Sequence, residues 1–210
     1  MLKLYDYKPA PNPRRTRIFL AEKGIAVENI QIDMSKAEQM GADFAAINPR
    51  RTVPTLVTET GQVLTENLAI ASYIDELYPE PPLMGTTPAE RADILQWNAR
   101  IEFEGLSPAA DAYRNGHPAF KGRAITGAKN YEQIPDLAER GRDRANSFFE
   151  MLNQRLTESP FIGGDRFSFP DITAGIVIEF ARWAKLYPDE SLKALSAWHK
   201  QIGERPSWQA

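Results

Sequence analysis

The sequence predicts an α/β unit followed by an all-helical one, and three observations carry that prediction. Before residue 80, short aromatic or β-branched runs alternate with segments of helical period. After residue 88, every patterned segment has helical period. Between them, Tyr78 to Pro88 reads YPEPPLMGTTP, with four prolines and a glycine in eleven residues, where a helix cannot continue. The predicted units are therefore 1–80 and 88–210, in a chain of 210 residues with ample length to bury a core.

Each element has its own signal. LKLYDY, Leu2 to Tyr7, is short, aromatic-rich and ends in a Pro-rich turn, which predicts a strand. Arg14 to Lys23 carries Ile18, Phe19, Leu20 and Ala21 and stops at Gly24, a helix C-terminal signal. Val27, Ile30 and Ile32 mark a second strand, and Lys36 to Ala46 a weaker helix. After Pro54, Thr-Leu-Val-Thr, a turn at Glu59 to Gln62 and Val63-Leu64 predict a hairpin. From Glu66 to Tyr78, the residues Ala69, Ile70, Tyr73, Ile74 and Leu77 form one apolar helical face. A βαβ crossover needs parallel strands and a tight hairpin antiparallel ones, so the sheet is expected to be mixed.

The second half begins with a long helical pattern, from Ala89 to about Arg114, through Ile94, Trp97, Ile101 and Leu106. Ala145, Phe148, Leu152 and Leu156 repeat at helical spacing. Ser168-Phe169-Pro170-Asp171 resembles a capping box with Asp in the carboxylate role, opening a helix through Ile172, Ile176 and Phe180. Leu192, Leu195, His199 and Ile202 mark the last helix.

Composition removes whole classes of function. Lys plus Arg total 25 against 28 for Asp plus Glu, a formal charge of -3, which argues against nucleic-acid binding by bulk charge. Zero cysteines exclude disulfides, thiolate metal sites and a cysteine nucleophile. Two histidines, His117 and His199, leave too few ligands for an ordinary zinc site, so no metal is expected. The start, MLKLYDYKP, lacks an apolar signal region, and no apolar run approaches about 18 residues, so a cytoplasmic protein without a membrane partner is expected.

Three stretches have the makings of a site. KPAPNPRR joins a strand end to a helix start, where unpaired N–H groups and partial positive charge favour an anion, and Arg14 and Arg15 add full charge. In Asn48-Pro49-Arg50-Arg51-Thr52-Val53-Pro54-Thr55-Leu56, a Val-Pro bond feeding a strand is a candidate cis peptide. It would leave the Val53 backbone facing outward, able to pair with an extended ligand. In Leu64-Thr65-Glu66-Asn67-Leu68-Ala69-Ile70, helix-start N–H groups beside a Glu suit the carboxylate and ammonium of an α-amino acid headgroup. Taken alone, that stretch also reads as a plain helix start capped by Thr65.

The three in this order, a turn with an Arg-rich helix start, NPxxxVPTL, then a strand leading into E-(S/N)-x-A-I, resemble the glutathione transferase family. The S-F-P-D-I segment resembles the N-capping motif of that family's helical domain, and bacterial and fungal cytosolic members with Asn-Pro in the first turn look closest. The resemblance implies a thioredoxin-like, glutathione-binding domain over 1–80 and an all-helical domain over 88–210 that contributes a hydrophobic acceptor site. It also implies a homodimer with glutathione as cosubstrate, the glutathione thiolate attacking a hydrophobic electrophile. By the same resemblance, Val53 pairs with the cysteinyl backbone, Pro54 is cis, Glu66 and Asn67 hold the γ-glutamyl headgroup, and Arg51 meets the glycyl carboxylate. A glutathione-dependent peroxidase or isomerase, or a non-catalytic module in protein assembly, are the alternatives on this fold.

The activating residue departs from the family pattern. Its usual Ser or Cys position falls at Ala10, whose side chain donates nothing. A thiol has a pKa of about 8.5, and lowering it by two units takes roughly 2.7 kcal/mol. A helix terminus contributes about 0.3–1 and at most about 2 kcal/mol, so one further donor suffices. Asn12 with the helix start is the first candidate, then Tyr7, then Tyr5, the two tyrosines sharing one face of the strand. His117, in Arg114-Asn115-Gly116-His117-Pro118, is a candidate base acting through water. Tyr113, Phe120, Phe103 and Trp183 are candidates for an apolar acceptor pocket, and Glu102 or Glu104 for reaching the partner's headgroup site.

Overall fold

The computed structural model describes residues 1–210. Its first part contains β1 (Lys3–Asp6), α1 (Pro11–Glu22), β2 (Glu28–Gln31), α2 (Ala42–Ile47), β3 (Thr55–Val57), β4 (Val63–Thr65) and α3 (Asn67–Leu77). The sheet order is β2-β1-β3-β4. Strand β1 runs parallel to β2, with Lys3 opposite Glu28, and antiparallel to β3, with Lys3 opposite Val57. Strands β3 and β4 form the hairpin, Thr55 opposite Thr65. The mixed sheet expected from the βαβ unit and the hairpin is present.

The second part is helical: α4 (Pro88–Arg100), α5 (Ser107–Gly116), α6 (Pro135–Glu158), α7 (Phe169–Ala181) and α8 (Lys193–Gly203). Helices α4 and α5 are the two ends of the long pattern after Ala89, and a π-helical turn over Ile101–Leu106 joins them. Pro108 follows that turn; its missing N–H and its ring deny Glu104 C=O an ordinary helical partner, and the helix widens there.

Two further elements differ from the sequence expectation. Helix α1 begins at Pro11, three residues before Arg14, because Pro11 and Pro13 both fit a first turn whose N–H groups need no intrahelical acceptor. The helix expected over Lys36 to Ala46 is broken. Two 3-10 turns, Met34–Lys36 and Glu38–Met40, meet at Ala37 in left-handed conformation (φ 59°), and only then does α2 start. Asp33 accepts from both the N–H and the hydroxyl of Ser35, a local bond that competes with helix. Phe44 is the only buried residue of α2, so little apolar surface rewards a longer helix.

One hydrophobic core runs through both parts, joining Leu4, Ile18, Phe19, Ile70 and Ile74 to Phe148, Phe169 and Ile176. Helix α1 lies against α7, with Phe19 and Phe169 edge to face at 5.7 Å. Gly141 of α6 lets that helix close on α5, since an added Cβ would stand 2.5 Å from Pro108 O. At the far end of α1, the buried Lys23 donates to Asp75 and to Tyr78 O, tying the helix to the start of the linker. A smaller cluster of Ile32, Phe44 and Val53 packs under the other sheet face with Tyr5 and Tyr7 against it. The two tyrosines share a face, as strand alternation requires. No helix is long and apolar enough to cross a membrane.

Candidate functional site

The loop before β3 is built by Asn48. Its side-chain nitrogen donates to Thr52 O and Thr55 Oγ1, both at 2.9 Å, and its oxygen accepts from Arg50 N–H at 3.0 Å. The Val53-Pro54 bond that follows is cis. Neither the N–H nor the C=O of Val53 has a partner in the protein, and Val53 lines a cleft. An unpaired donor and acceptor on one residue offer a short edge to which another backbone can add.

Across from it, the chain turns from β4 into α3 through Glu66, whose backbone lies at φ 70°, ψ 128°. A non-glycine residue there costs on the order of 1–3 kcal/mol, and such positions cluster at binding sites. Thr65 is the last residue of β4 rather than the cap of α3; the cap position belongs to Glu66, whose side chain makes no capping bond. The first α3 N–H to find an intrahelical acceptor is that of Ile70, on Glu66 O at 3.1 Å. The donors before it remain for something else. The Glu66 carboxylate faces Arg50 at 3.4 Å with both side chains largely exposed, an ion pair weak enough for a ligand to replace.

The start of α1 supplies the third side. Pro11 and Pro13 bring no N–H, and that of Arg14 reaches Ala10 O at 3.4 Å, so the Asn12 N–H is the unpaired donor of the first turn. Asn12 also lines the cleft; its side-chain oxygen accepts from Arg15 Nη2 at 3.0 Å and its Nδ2 has no protein acceptor. The two arginines expected to add charge to this turn are committed elsewhere. Arg14 pairs with Glu179 and donates to Trp208 O. Arg15 is buried, its guanidinium on Glu102 at 2.9 Å. Burial lowers the Arg15 pKa, and the adjacent Glu102 opposes that shift. Glu102, considered from sequence for reaching a partner subunit, is thus held inside its own chain.

The cleft has a volume of about 420 Å³, within the range of small-ligand sites. It brings together Asn12, Val53, Pro54, Glu66 and Asn67 of the expected set. Arg50 lines it, while its neighbour Arg51, in left-handed conformation at φ 58°, does not. Tyr7 and Tyr5 lie in the small cluster under Val53 rather than on the cleft wall. The remaining wall is a loop of the helical part, Ile125 to Tyr131, including Thr126 and Lys129. Sequence reasoning passed over this wall, since a Gly-containing polar stretch has no period. Arg123 holds it from within, donating to Asn130 Oδ1 at 2.7 Å and to Gly127 O at 3.3 Å.

His117 lies outside the cleft wall, at the root of that loop. Its Nδ1 accepts from Ala119 N–H at 3.2 Å, and its ring packs near Tyr113 (5.5 Å) and Phe120 (6.0 Å). The aromatic group around it is real, with Tyr113 at 5.0 Å from Phe120, 5.6 Å from Trp183 and 5.8 Å from Phe180. Phe103 does not belong to it: its side chain is 71% exposed, on the π-helical turn. No three His, Cys, Asp or Glu side chains gather in a metal-ligating arrangement.

Comparison with known proteins places these features in a family. Residues 10–77 match the family described as glutathione S-transferase, N-terminal domain, and residues 120–206 match glutathione S-transferase, C-terminal domain. Glutathione S-transferase 2 of Saccharomyces cerevisiae is 36% identical over 206 residues, covering 97% of this chain and 86% of that protein. The crystal structure of Gtt2 from Saccharomyces cerevisiae superposes with a TM-score of 0.89 at 35% identity, covering 99% and 98% of the two chains. A glutathione S-transferase domain-containing protein from Marinobacter aquaeolei VT8 also gives 0.89, at 34% identity and 98% coverage of both. The motifs around Val53 and Glu66, the thioredoxin-like sheet and the helical part behind it all fall within these matches, and the chain belongs to the glutathione S-transferase family.

Proposed function

We propose that the cleft binds glutathione, lowers its thiol pKa and sets it to attack hydrophobic electrophiles, a transferase activity. One observation carries the reading: the unpaired Val53 backbone, the free helix-start donors beside Glu66 and the free Asn12 donors all line one cleft. In this reading the Glu66 carboxylate takes the γ-glutamyl ammonium, with Asn67 and the start of α3 on its carboxylate. Val53 pairs with the cysteinyl backbone next to cis Pro54. The glycyl carboxylate lies toward Arg50 with Arg51 flanking, where a guanidinium suits it.

Glutathione supplies the nucleophile, so the chain needs no cysteine of its own. What the protein must supply is preference for the thiolate. The start of α1 contributes about 0.3–1 kcal/mol and a hydrogen bond to a charged group about 1.5–3 kcal/mol. Their sum covers the roughly 2.7 kcal/mol of a two-unit shift. Asn12 is therefore assigned as the sulfur donor, ahead of Tyr7, and His117 as a base working through water from the root of the loop. Tyr113, Phe120 and Trp183 offer the electrophile an apolar surface nearby. We assign residues 1–80 to glutathione and 88–210 to the acceptor, in a cytoplasmic homodimer.

The test is a pH titration of the ultraviolet thiolate absorbance of bound glutathione, in wild type and Asn12→Ala. A wild-type pKa well below that of free glutathione, raised by about one unit in Asn12→Ala, is expected. Proven binding without thiolate would instead favour a non-catalytic module, the reading to which Ala10 at the usual Ser or Cys position lends weight.

A further inference from the structure

Arg15 is 3% exposed and makes no contact expected of a ligand-binding arginine, yet it lies between two residues of the cleft. Its Nη1 donates to Glu102 Oε1 at 2.9 Å, and its Nη2 donates to Asn12 Oδ1 at 3.0 Å. The second hydrogen of Nη2 has one acceptor within reach, the amide oxygen of the buried Asn67. With that amide oriented so, its oxygen accepts from Nη2 at 2.9 Å and its nitrogen donates to Asn12 O and Thr16 Oγ1, both at 2.8 Å. The reverse orientation sets an amide nitrogen against a guanidinium nitrogen, two donors facing each other. A guanidinium has five donors and no acceptor, so any amide touching it must present its oxygen.

We infer that Arg15 is a positioning residue that orients two amides, deciding which end of Asn12 meets the ligand and which way Asn67 ties α3 to α1. By taking the oxygen of Asn12, it leaves Nδ2 for the cleft, so the sulfur is offered a donor instead of a repelling carbonyl oxygen. By taking the oxygen of Asn67, it locks that nitrogen onto the Asn12 carbonyl and fixes the start of α3 to the start of α1. Glu102 anchors the guanidinium and is itself reached by Asn98 Nδ2 at 3.4 Å, while Asn98 accepts from Thr173 of α7 at 2.8 Å. The orientation of the donor is thus set from the helical part of the chain. This inference rests on the proposed glutathione site.

The test uses the full-length protein and glutathione itself. Arg15→Lys keeps the charge, but an ammonium lacks the planar fork that spans both amides and Glu102. Its bound glutathione is expected to titrate about one unit higher than in wild type, tenfold less thiolate at a given pH below both values. The acidic limb of the kcat/KM profile is expected to move by the same amount. Asn12→Asp preserves an oxygen for Arg15 and replaces only the nitrogen, so it keeps the test open if Arg15→Lys folds poorly. There the thiol pKa is expected to rise by at least as much, through loss of the donor and repulsion between like charges. A wild-type pKa that is depressed but unchanged in folded, glutathione-binding Arg15→Lys overturns the inference and leaves the proposed function standing; if it is unchanged in Asn12→Asp as well, Asn12 is also removed as the sulfur donor. A wild type with no depressed pKa overturns both.

Discussion

Two groups of polar residues, one at the start of α7 and one around the starts of α1 and α3, are opposites. At the start of α7, the buried Asp171 accepts from Ile162 N–H and Trp198 Nε1 at 2.9 Å and from Ser168 N–H and Oγ at 3.0 Å. Every lone-pair direction of the carboxylate faces a donor, and nothing is left over for a ligand. At the starts of α1 and α3 and in the loop before β3, donors and acceptors stay open: the Asn12 N–H and Nδ2, the donors before Ile70, and the Val53 N–H and C=O. The α7 group is fully buried, whereas the open group stands at a cleft wall, half-buried at Asn12 and largely exposed at Glu66. The closed network is spent on holding the fold, and the open one keeps its hydrogen-bonding capacity for something that arrives.

The comparison breaks most visibly at Asp171. Asp171→Ala strands four donors at once, and removing one partner of a buried charged network costs about 3–5 kcal/mol. Denaturant unfolding is expected to show a loss of that size, with glutathione affinity unchanged in the fraction that remains folded.

Next in size is a dependence on pH. Burial pushes the Asp171 carboxyl up to about 6, against the hydrogen bonds that pull it down. Its folded pKa lies above the unfolded value of about 3.9, so the proton is held more tightly in the folded state. The stabilisation this represents is complete below about pH 4 and is lost as pH rises through about 6. The stability of wild type relative to the non-titrating Asp171→Asn is expected to fall across that window by up to about 3 kcal/mol. A gap that stays level from pH 4 to 7, measured by urea unfolding, contradicts the shift.

The smallest expected effect sharpens the other side. The Glu66 side chain is 67% exposed and pairs only loosely with Arg50. Glu66→Ala is expected to leave the melting temperature within a degree or two while weakening glutathione about tenfold, roughly 1.4 kcal/mol. Calorimetric titration beside a thermal melt checks both halves. A large loss of stability with affinity intact would move Glu66 into the structural group.

Much of this was legible from local pattern. The linker after Tyr78, the hairpin after Pro54 and the helix from Asn67 follow from prolines, alternation and an apolar face that hold within a few residues of sequence. The S-F-P-D segment announced its network because capping is local chemistry. The cleft was half legible. Val53 and Glu66 stand in motifs whose geometry is set by their neighbours, whereas the wall from Ile125 to Tyr131 carries no period and joins the cleft only through the packing of the second part on the first. Arg50 and Arg51 show the limit at the scale of a single residue. Both are cations in the same loop, and the left-handed backbone at Arg51 decides which of them faces inward.

By itself, then, the sequence determined the order of strands and helices, the family, and the residue types available for the site, because these depend on spacing, propensity and motif. The tertiary structure alone decided that Arg14 and Arg15 are consumed by Glu179 and Glu102, that Phe103 leaves the aromatic cluster, and that two asparagine amides turn their oxygens to one guanidinium. A charge or an amide in a sequence has no partner yet. Its partner lies 87 residues away in the case of Arg15 and Glu102, and only the folded chain brings the two within 2.9 Å.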